Sequence, residues 1–184
     1  MHGLAQRFFR LESGPGVEVE IVASNALSDL RRREADIAIR HVRPTEPDLI
    51  ARLIRTAQAH LYAAPAYIRR HGLPASLADA RGALFVAMDQ PSRMIDYLAA
   101  HGLNLTPRNF RLHCENIMVG WEMVKQGLAI GVMSEDIADR SEGVARILPE
   151  FTPIPVPIWL VTHRGLHSSA RIRLVYDLLA DALK

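Results

Sequence analysis

The sequence predicts an α/β fold of two lobes, and three of its features lead to that prediction. Apolar residues make up 49% of the 184-residue chain, which is enough to bury a sizeable core. Segments with the period of a strand alternate with segments with the period of a helix, the pattern of a mostly parallel sheet flanked by helices. No flexible linker, internal repeat or low-complexity segment divides the chain, so two lobes would have to be joined by strands.

The predicted strands are short segments that are apolar throughout or alternate between apolar and polar residues. Residues 17–21 alternate, which is typical of a half-buried strand. Residues 128–133 are continuously apolar, which predicts a parallel strand buried on both faces. In chain order, strands are predicted at 17–23, 35–40, 49–53, 59–64, 83–88, 109–114, 128–133, 144–148 and 155–163.

The predicted helices lie between these strands and are bounded by residues that favour helix ends. Pro65 suits a first helical position, where its missing N–H is not needed, and Gly72 suits a C-terminal stop. Asn116 and Ser134 are good N-caps. In chain order, helices are predicted at 4–11, from a cap at Ser24 or Asn25 to Arg33, at 65–70, 91–100, 117–126 and 134–139, and from Ser168 or Ser169 onwards.

Two of the predicted strands can join the lobes. Residues 58–64 lead out of the first lobe, and residues 155–161 lead back. Three prolines recur at every second position near the start of the returning segment: Pro153, Pro155 and Pro157. Proline in a central strand removes ladder hydrogen bonds, so we expect an edge or a hinge there and the strand proper at 158–162. The first lobe is predicted at 1–60 and 158–184, and the second at 61–157.

Composition and motifs argue against several classes of function. The net charge is only +2 and the chain has one cysteine, so a phosphate-binding basic stripe and an intrachain disulfide are not expected. No apolar run reaches the roughly 18 residues that span a bilayer, and the N-terminus lacks the features of a signal peptide. No HExxH, GxGxxG or GxxxxGK[ST] motif occurs,. His113 and Cys114 are neighbours on a predicted strand, so their side chains point to opposite faces and cannot form a nucleophile–base pair. We predict no catalytic residue, no metal, no cofactor, no membrane contact and a cytoplasmic location.

Four motifs together resemble the effector-binding domain of LysR-type transcriptional regulators. The strand Asp36-Ile37-Ala38-Ile39-Arg40 is similar to the family's geaDlaiR, and residues 64–74 are similar to AsPaYl…hG.P. Residues 127–134 are similar to aGlGia.lP, and the segment from 157 into the last helix is similar to lwlvt…sarir. The order and spacing of these pieces extend the resemblance over nearly the whole chain.

The resemblance implies a two-lobed periplasmic-binding-protein-like (type 2) fold with two hinge strands and a small-molecule effector in the cleft between the lobes. It also implies a homodimer or tetramer built through this domain, and DNA contact only through a separate N-terminal helix-turn-helix that is absent from this chain. Two features depart from the family pattern. Ser134 stands where the family often has proline, and Met1 already lies at the first helix, so we expect the first strand of lobe one to be missing.

In such a fold the effector site is lined by strand carboxyl ends and by helix N-termini, whose N–H groups favour anions. Arg40 ends a strand, and its guanidinium could hold a carboxylate through two hydrogen bonds, which favours a small organic acid. Asp89 and Glu115 favour a ligand that also carries hydroxyls or an amine. The predicted effector-binding residues are Ser24, Asn25, Arg40, His41, Asp89, Gln90, Ser92, Glu115, Asn116 and Met133.

Other interpretations stay open for these residues and for the chain. The serines and asparagines can act as helix caps alone, Arg40 can pair with Asp36 or Asp48, and His41 can be an ordinary loop histidine. The alternative function is a free-standing periplasmic-type solute-binding protein, which would need a signal peptide or a lipid anchor. An enzyme would need a nucleophile–base pair or a cofactor lysine, and Lys125 and Lys184 are the only lysines.

Overall fold

The computed structural model of the chain describes residues 17–22, 35–87 and 90–184. The chain divides into two compact units: unit 1 is Met1–Thr56 with Pro157–Lys184, and unit 2 is Ala57–Val156. The lobe boundaries expected from the sequence, at 60/61 and 157/158, stay a prediction. The predicted helices at 4–11 and 24–33 lie outside the described residues.

Unit 1 contains a pair of antiparallel strands, the first part of a third strand, and a C-terminal helix. Strand β1 (Ile37–Arg40) pairs with β7 (Ile154–His163), with Ile37 opposite Thr162. A short helix, α5 (Arg164–His167), which was not predicted from the sequence, precedes α6 (Ala170–Ala182). The buried Tyr176 hydroxyl on α6 donates to the Leu160 carbonyl of β7 at 3.1 Å, so a hydrogen bond and apolar packing both hold the helix on the sheet.

Two strands connect the units along the chain. Strand β2 (Leu49–Ala63) passes from unit 1 into unit 2, and β7 passes back. The sequence predicted two separate segments, 49–53 and 59–64, where the structure has one strand of 15 residues. The predicted start of the returning strand at 158 is also wrong, since β7 includes Pro155 and Pro157. Alternate residues present their N–H groups to the same edge, so the two prolines remove donors from only one edge of β7.

In unit 2, short strands and helices surround a larger apolar core. The core includes the fully buried side chains of Leu61, Tyr67, Phe85, Leu98 and Ile130. The remaining strands are β3 (Val86–Ala87), β4 (Leu112–His113), β5 (Gly131–Ser134) and β6 (Ala145–Ile147). The helices are α1 (Pro65–His71), α2 (Pro91–Ala100), α3 (Ile117–Lys125) and α4 (Glu135–Ala138), with 3₁₀ turns at Asp79–Gly82 and Pro107–Asn109.

The described strand pairings are mixed rather than mostly parallel. Strands β3 and β4 are parallel, whereas β2 pairs antiparallel with both β5 and β6. In the larger sheet the strand order is β1-β7-β2-β5, with β6 also paired with β2. The apolar run at 128–133 therefore has one parallel neighbour and one antiparallel neighbour. Ile130 forms a parallel bridge with Phe85, and β5, which follows it directly, pairs antiparallel with β2. Ile130 is buried, as the apolar run predicted, whereas Leu128 is 44% exposed, and burial does not fix strand direction.

Some predicted strands are shorter in the structure, and one is not observed. Residues 17–22 form no strand, since alternation produces a strand only where a partner supplies hydrogen bonds. The segment predicted at 109–114 narrows to β4 because the 3₁₀ turn Pro107–Asn109 occupies its start. Within the described ranges, no helix is long and apolar enough to cross a membrane.

Candidate functional site

Two of the predicted polar segments lie at one edge of the small parallel sheet of unit 2. Ala87 at the end of β3 is paired with His113 at the end of β4, and the Cys114 N–H donates to the Ala87 carbonyl at 2.8 Å. Because the two strands are parallel, the chain leaves both of them at the same edge. The structure thus brings the segment with Gln90 and Ser92 to the same sheet edge as Glu115 and Asn116.

The helices that follow these strands begin in different ways. Pro91 opens α2, and its N-cap residue Gln90 makes no side-chain capping hydrogen bond. Asn116 caps α3, with its Oδ1 accepting the Met118 N–H at 3.0 Å and the Val119 N–H at 3.2 Å. Ser92, Glu115 and Asn116 are all exposed. The capping role that the sequence left open for Asn116 is therefore observed, and the side chain also faces solvent.

The end of β5 contributes a core residue rather than an exposed one. The Met133 side chain is only 2% exposed and packs with Tyr62, Val86 and Trp121. Ser134 occupies the N-cap position of α4, but its side chain makes no capping hydrogen bond, contrary to the prediction. The ligand contact predicted for Met133 stays a prediction, and its side chain belongs to the apolar core.

In unit 1, Arg40 is buried and paired. Its side chain is 8% exposed, and Nη1 lies 3.3 Å from Glu46 Oε1, a partner that was not predicted from the sequence. The backbone N–H of Glu46 is the largest cause that lowers the pKa of its carboxyl, and the Arg40 guanidinium lowers it further. Because the Arg40 guanidinium already pairs with a carboxylate of the protein, fewer of its N–H donors are available for a ligand carboxylate.

His41 lies at the exposed end of β1. Its Nδ1 is 3.2 Å from the Pro157 carbonyl oxygen on β7. Two residues further on, the Arg43 guanidinium lies over the Trp159 ring, 5.7 Å from its centroid. The turn after β1 is thus held against β7 by contacts from two side chains.

Three predicted residues, Ser24, Asn25 and Asp89, lie outside the described residues. Of the other seven predicted residues, Arg40 and His41 lie in unit 1. The remaining five lie in unit 2: Gln90, Ser92, Glu115, Asn116 and Met133. No part of the chain that the structure describes brings together three histidine, cysteine or acidic side chains in an arrangement able to hold a metal ion.

Sequence reasoning did not single out two further features of unit 2. A recess of about 400 Å³ lies between α1 and the 3₁₀ turn Asp79–Gly82, and Tyr67, His71 and Leu84 are among its lining residues. No predicted site residue lines this recess. The second feature is His60, a histidine buried beside Glu135. A histidine in an apolar strand has no distinctive spacing in sequence, so only the fold reveals its surroundings.

Two α/β units joined by two strands, with polar segments at strand carboxyl ends, define the class of two-lobed α/β binding domains. The LysR substrate binding domain family matches residues 5–184 of the chain. This chain belongs to that family, which confirms both the resemblance and the two-lobed periplasmic-binding-protein-like fold inferred from the motifs.

Named relatives support the same assignment. The chain is 29% identical over 174 residues to the HTH-type transcriptional regulator DmlR of Escherichia coli K12, covering 90% of this chain and 55% of DmlR. The regulatory domain of CrgA, a LysR-type transcriptional regulator from Neisseria meningitidis, matches with a TM-score of 0.83 and 21% identity over 98% of this chain and 92% of that one.

Two full-length structures match over a smaller share of their own length. Full-length AphB, a virulence activator from Vibrio cholerae, matches with a TM-score of 0.73 and 21% identity over 96% of this chain and 62% of AphB. Full-length CbnR in complex with its target DNA matches with a TM-score of 0.59 and 16% identity, over 84% of this chain and 56% of CbnR. This chain thus spans little more than half of the full-length regulators it resembles.

Proposed function

We propose that this chain is the effector-sensing part of a LysR-type transcription regulator. It binds a small molecule and passes the binding signal to a DNA-binding module that corresponds to the part of DmlR or CbnR outside the match. The observation that carries the proposal is the family match over residues 5–184. The proposal gives the chain a cytoplasmic location and no catalytic role.

The proposed effector-binding residues lie in both units, and each group is described by itself. In unit 2, Gln90, Ser92, Glu115 and Asn116 offer hydrogen-bonding groups where two parallel strands end. Ligands of open α/β sheets bind at such carboxyl ends. In unit 1, His41 contributes an exposed imidazole, while Arg40 contributes mainly by positioning the turn that ends β1.

A small organic acid is the ligand class we propose. Helices α2 and α3, of ten and nine residues, both begin at the unit 2 edge, and helix N-termini favour negative charge. The exposed carboxylate of Glu115 adds an acceptor for a hydroxyl or an amine on the same ligand. Support from Arg40 is weaker than the sequence implied, because its guanidinium is paired with Glu46.

A thermal-shift screen of the chain, and of a longer chain extended at its N-terminus, tests the proposal. Small carboxylates, aromatic acids, amino acids and sugars are the ligands to compare. A ligand at a hundredfold excess over its Kd stabilises the folded state by about 2.7 kcal/mol, a shift that is easily measured. We expect at least one carboxylate to stabilise the chain and the neutral sugars to have little influence.

Matched variants then locate the ligand. Ser92→Ala and Asn116→Ala should reduce the ligand-induced shift, whereas Asn104→Ala, an exposed change elsewhere in unit 2, should leave it unchanged. Stabilisation that survives in both site variants would refute the proposed site. Absence of any hit with both chains would refute the small-molecule proposal for the classes tested.

The remaining partners follow from the family and need separate measurements. We propose a homodimer or a tetramer, the two-fold dimer being the commonest closed assembly of soluble proteins. Light scattering on the purified chain measures this directly, and a monomer at all concentrations would contradict it. DNA binding is expected only when a helix-turn-helix precedes this domain, so a mobility-shift assay should give a complex with the longer protein and none with this chain.

A further inference from the structure

His60 is a buried histidine with an incomplete set of partners. It lies on β2 opposite Met133 of β5, and the residue is only 4% exposed. Its Nε2 is 3.7 Å from Glu135 Oε2, too long for a good hydrogen bond,. Among the described residues, its buried Nδ1 has no hydrogen-bond partner. A buried polar atom without a partner is uncommon in folded proteins and needs an explanation.

Charged groups of both signs surround this imidazole. Glu135, at the start of α4, and Asp139, just beyond the end of α4, favour its protonated form, whereas Arg146 on β6 disfavours it. Tyr62, the next residue on the same side of β2, has a pKa raised by burial, so it stays neutral in the range where histidine titrates.

We propose that His60 is a proton switch within unit 2. The core accommodates the neutral imidazole without a close partner, and a proton taken up in mild acid makes the buried ring a cation. That cation must either draw the half-exposed Glu135 carboxylate inward to a direct ion pair or destabilise unit 2. Because Glu135 is the first residue of α4, the response would reach the segment that follows β5.

The direction of the pH dependence follows from burial. Burial is the largest cause that lowers the pKa of His60 below its ordinary 6.5, and Arg146 lowers it further, while Glu135 and Asp139 oppose the shift. When the pH falls through 6.5 the unfolded chain takes up a proton at this position before the folded chain does, which favours unfolding. Stability due to the neutral His60 is therefore complete above pH 6.5 and is lost on acidification.

Urea unfolding across the mildly acidic range tests the switch. Trp121 lies in unit 2 and Trp159 in unit 1, so a Trp159→Phe background lets Trp121 fluorescence report on unit 2. We would compare this background alone with His60→Gln, Glu135→Gln and His113→Gln between about pH 7.5 and about pH 5. His113 is an exposed histidine of the same unit and serves as the matched control.

The expected results differ between the variants. His60→Gln should lose less stability on acidification than the parent, His113→Gln should follow the parent, and Glu135→Gln should lose more because the compensating carboxylate is gone. Parallel curves for the parent and His60→Gln would overturn the proposal.

A second measurement covers the case in which His60→Gln does not fold. The imidazole Cε1–H resonances of the parent and of Glu135→Gln are titrated by NMR, folded and in urea. One resonance should have a lower midpoint in the folded parent than in urea, and a still lower one in Glu135→Gln. If the Glu135 change moves no histidine midpoint, the switch is refuted.

Discussion

Replacing Asn109 with alanine should destabilise unit 2 by much more than the loss of one hydrogen bond. Asn109 is 4% exposed and ends the 3₁₀ turn Pro107–Asn109. Its Nδ2 donates to the carbonyls of Arg81 at 2.7 Å and Ala83 at 2.8 Å, and its Oδ1 accepts the Thr106 N–H at 2.8 Å. One side chain thus ties its own turn to the chain segment that leads into β3.

The magnitude follows from these three hydrogen bonds. Each short intramolecular hydrogen bond contributes about 1 kcal/mol net, and a buried group left without a partner costs more. Asn109→Ala removes all three, together with a longer bond of 3.1 Å from the Thr106 hydroxyl to Oδ1, and should lower the free energy of unfolding by about 3 kcal/mol. Asn109→Asp keeps the acceptor but directs a carboxylate oxygen at two carbonyl oxygens, so its cost should be at least as large.

The assay is urea unfolding monitored by Trp121 in the Trp159→Phe background, which isolates unit 2. Asn104→Ala, an exposed change a few residues away, should alter the unfolding free energy by less than about 0.5 kcal/mol. If Asn109→Ala cost no more than this control, the three hydrogen bonds would contribute nothing net and the reasoning from them would be wrong.

Three further predictions concern other parts of the chain. Gly127→Ala should destabilise the protein by at least about 1 kcal/mol more than Gly143→Ala in urea unfolding. Both glycines have φ near +75°, but only at Gly127 would a Cβ lie 2.9 Å from the α1 backbone. Equal losses of stability would refute the clash. Asn116→Ala should cost about 1 kcal/mol in urea unfolding through loss of the α3 cap, with Asn116→Ser costing less, and a neutral Asn116→Ala would contradict that role. The pKa of Glu46 is lowered from 4.5 by its own backbone N–H and by Arg40, so the stability it contributes is present above pH 4.5 and is lost as the pH falls below that value. The midpoint of urea unfolding should therefore fall less steeply with acidification in Glu46→Gln than in the parent. An unchanged pH dependence in this variant would refute the prediction.

Helix bounds were predictable from sequence because local residues specify them. The predicted helix at 91–100 has the bounds of α2, and α1 extends only one residue beyond the predicted 65–70. Pro65, Gly72 and Asn116 act through their own backbone or side-chain geometry, so their roles do not depend on the rest of the fold. The same locality explains why the cap at Asn116 was found correctly.

Strand pairing was less predictable because it depends on residues distant in sequence. The apolar run at 128–133 predicted a buried parallel strand, and burial was right for Ile130, whereas β5 pairs antiparallel with β2. The sequence predicted two separate segments, 49–53 and 59–64, whereas the structure has the single strand β2, which pairs with β7, β5 and β6. Pattern gives the burial of a strand, and only the partner gives its direction and length.

For the candidate site, the sequence predicted where residues lie along the strands better than it predicted the contacts of their side chains. Gln90, Ser92, Glu115 and Asn116 follow strands that prove to be adjacent and parallel, a geometric consequence of the α/β pattern. The pairing of Arg40 with Glu46 depends on the path of the turn after β1, which no periodicity encodes. Burial of Met133 depends on which face of β5 meets the core. A register shift of one residue would place the side chain on the opposite face.

Strand β2 places a structural anchor and the proposed switch on one continuous element. Arg55 Nε donates to the Leu183 carbonyl at 2.8 Å, which ties β2 to the end of α6 in unit 1. Further along, the same strand carries His60 in the core of unit 2. The proposed proton switch therefore lies on one of the two strands that connect the units along the chain. A loss of stability on acidification that disappears in His60→Gln would assign the pH effect to this position of β2.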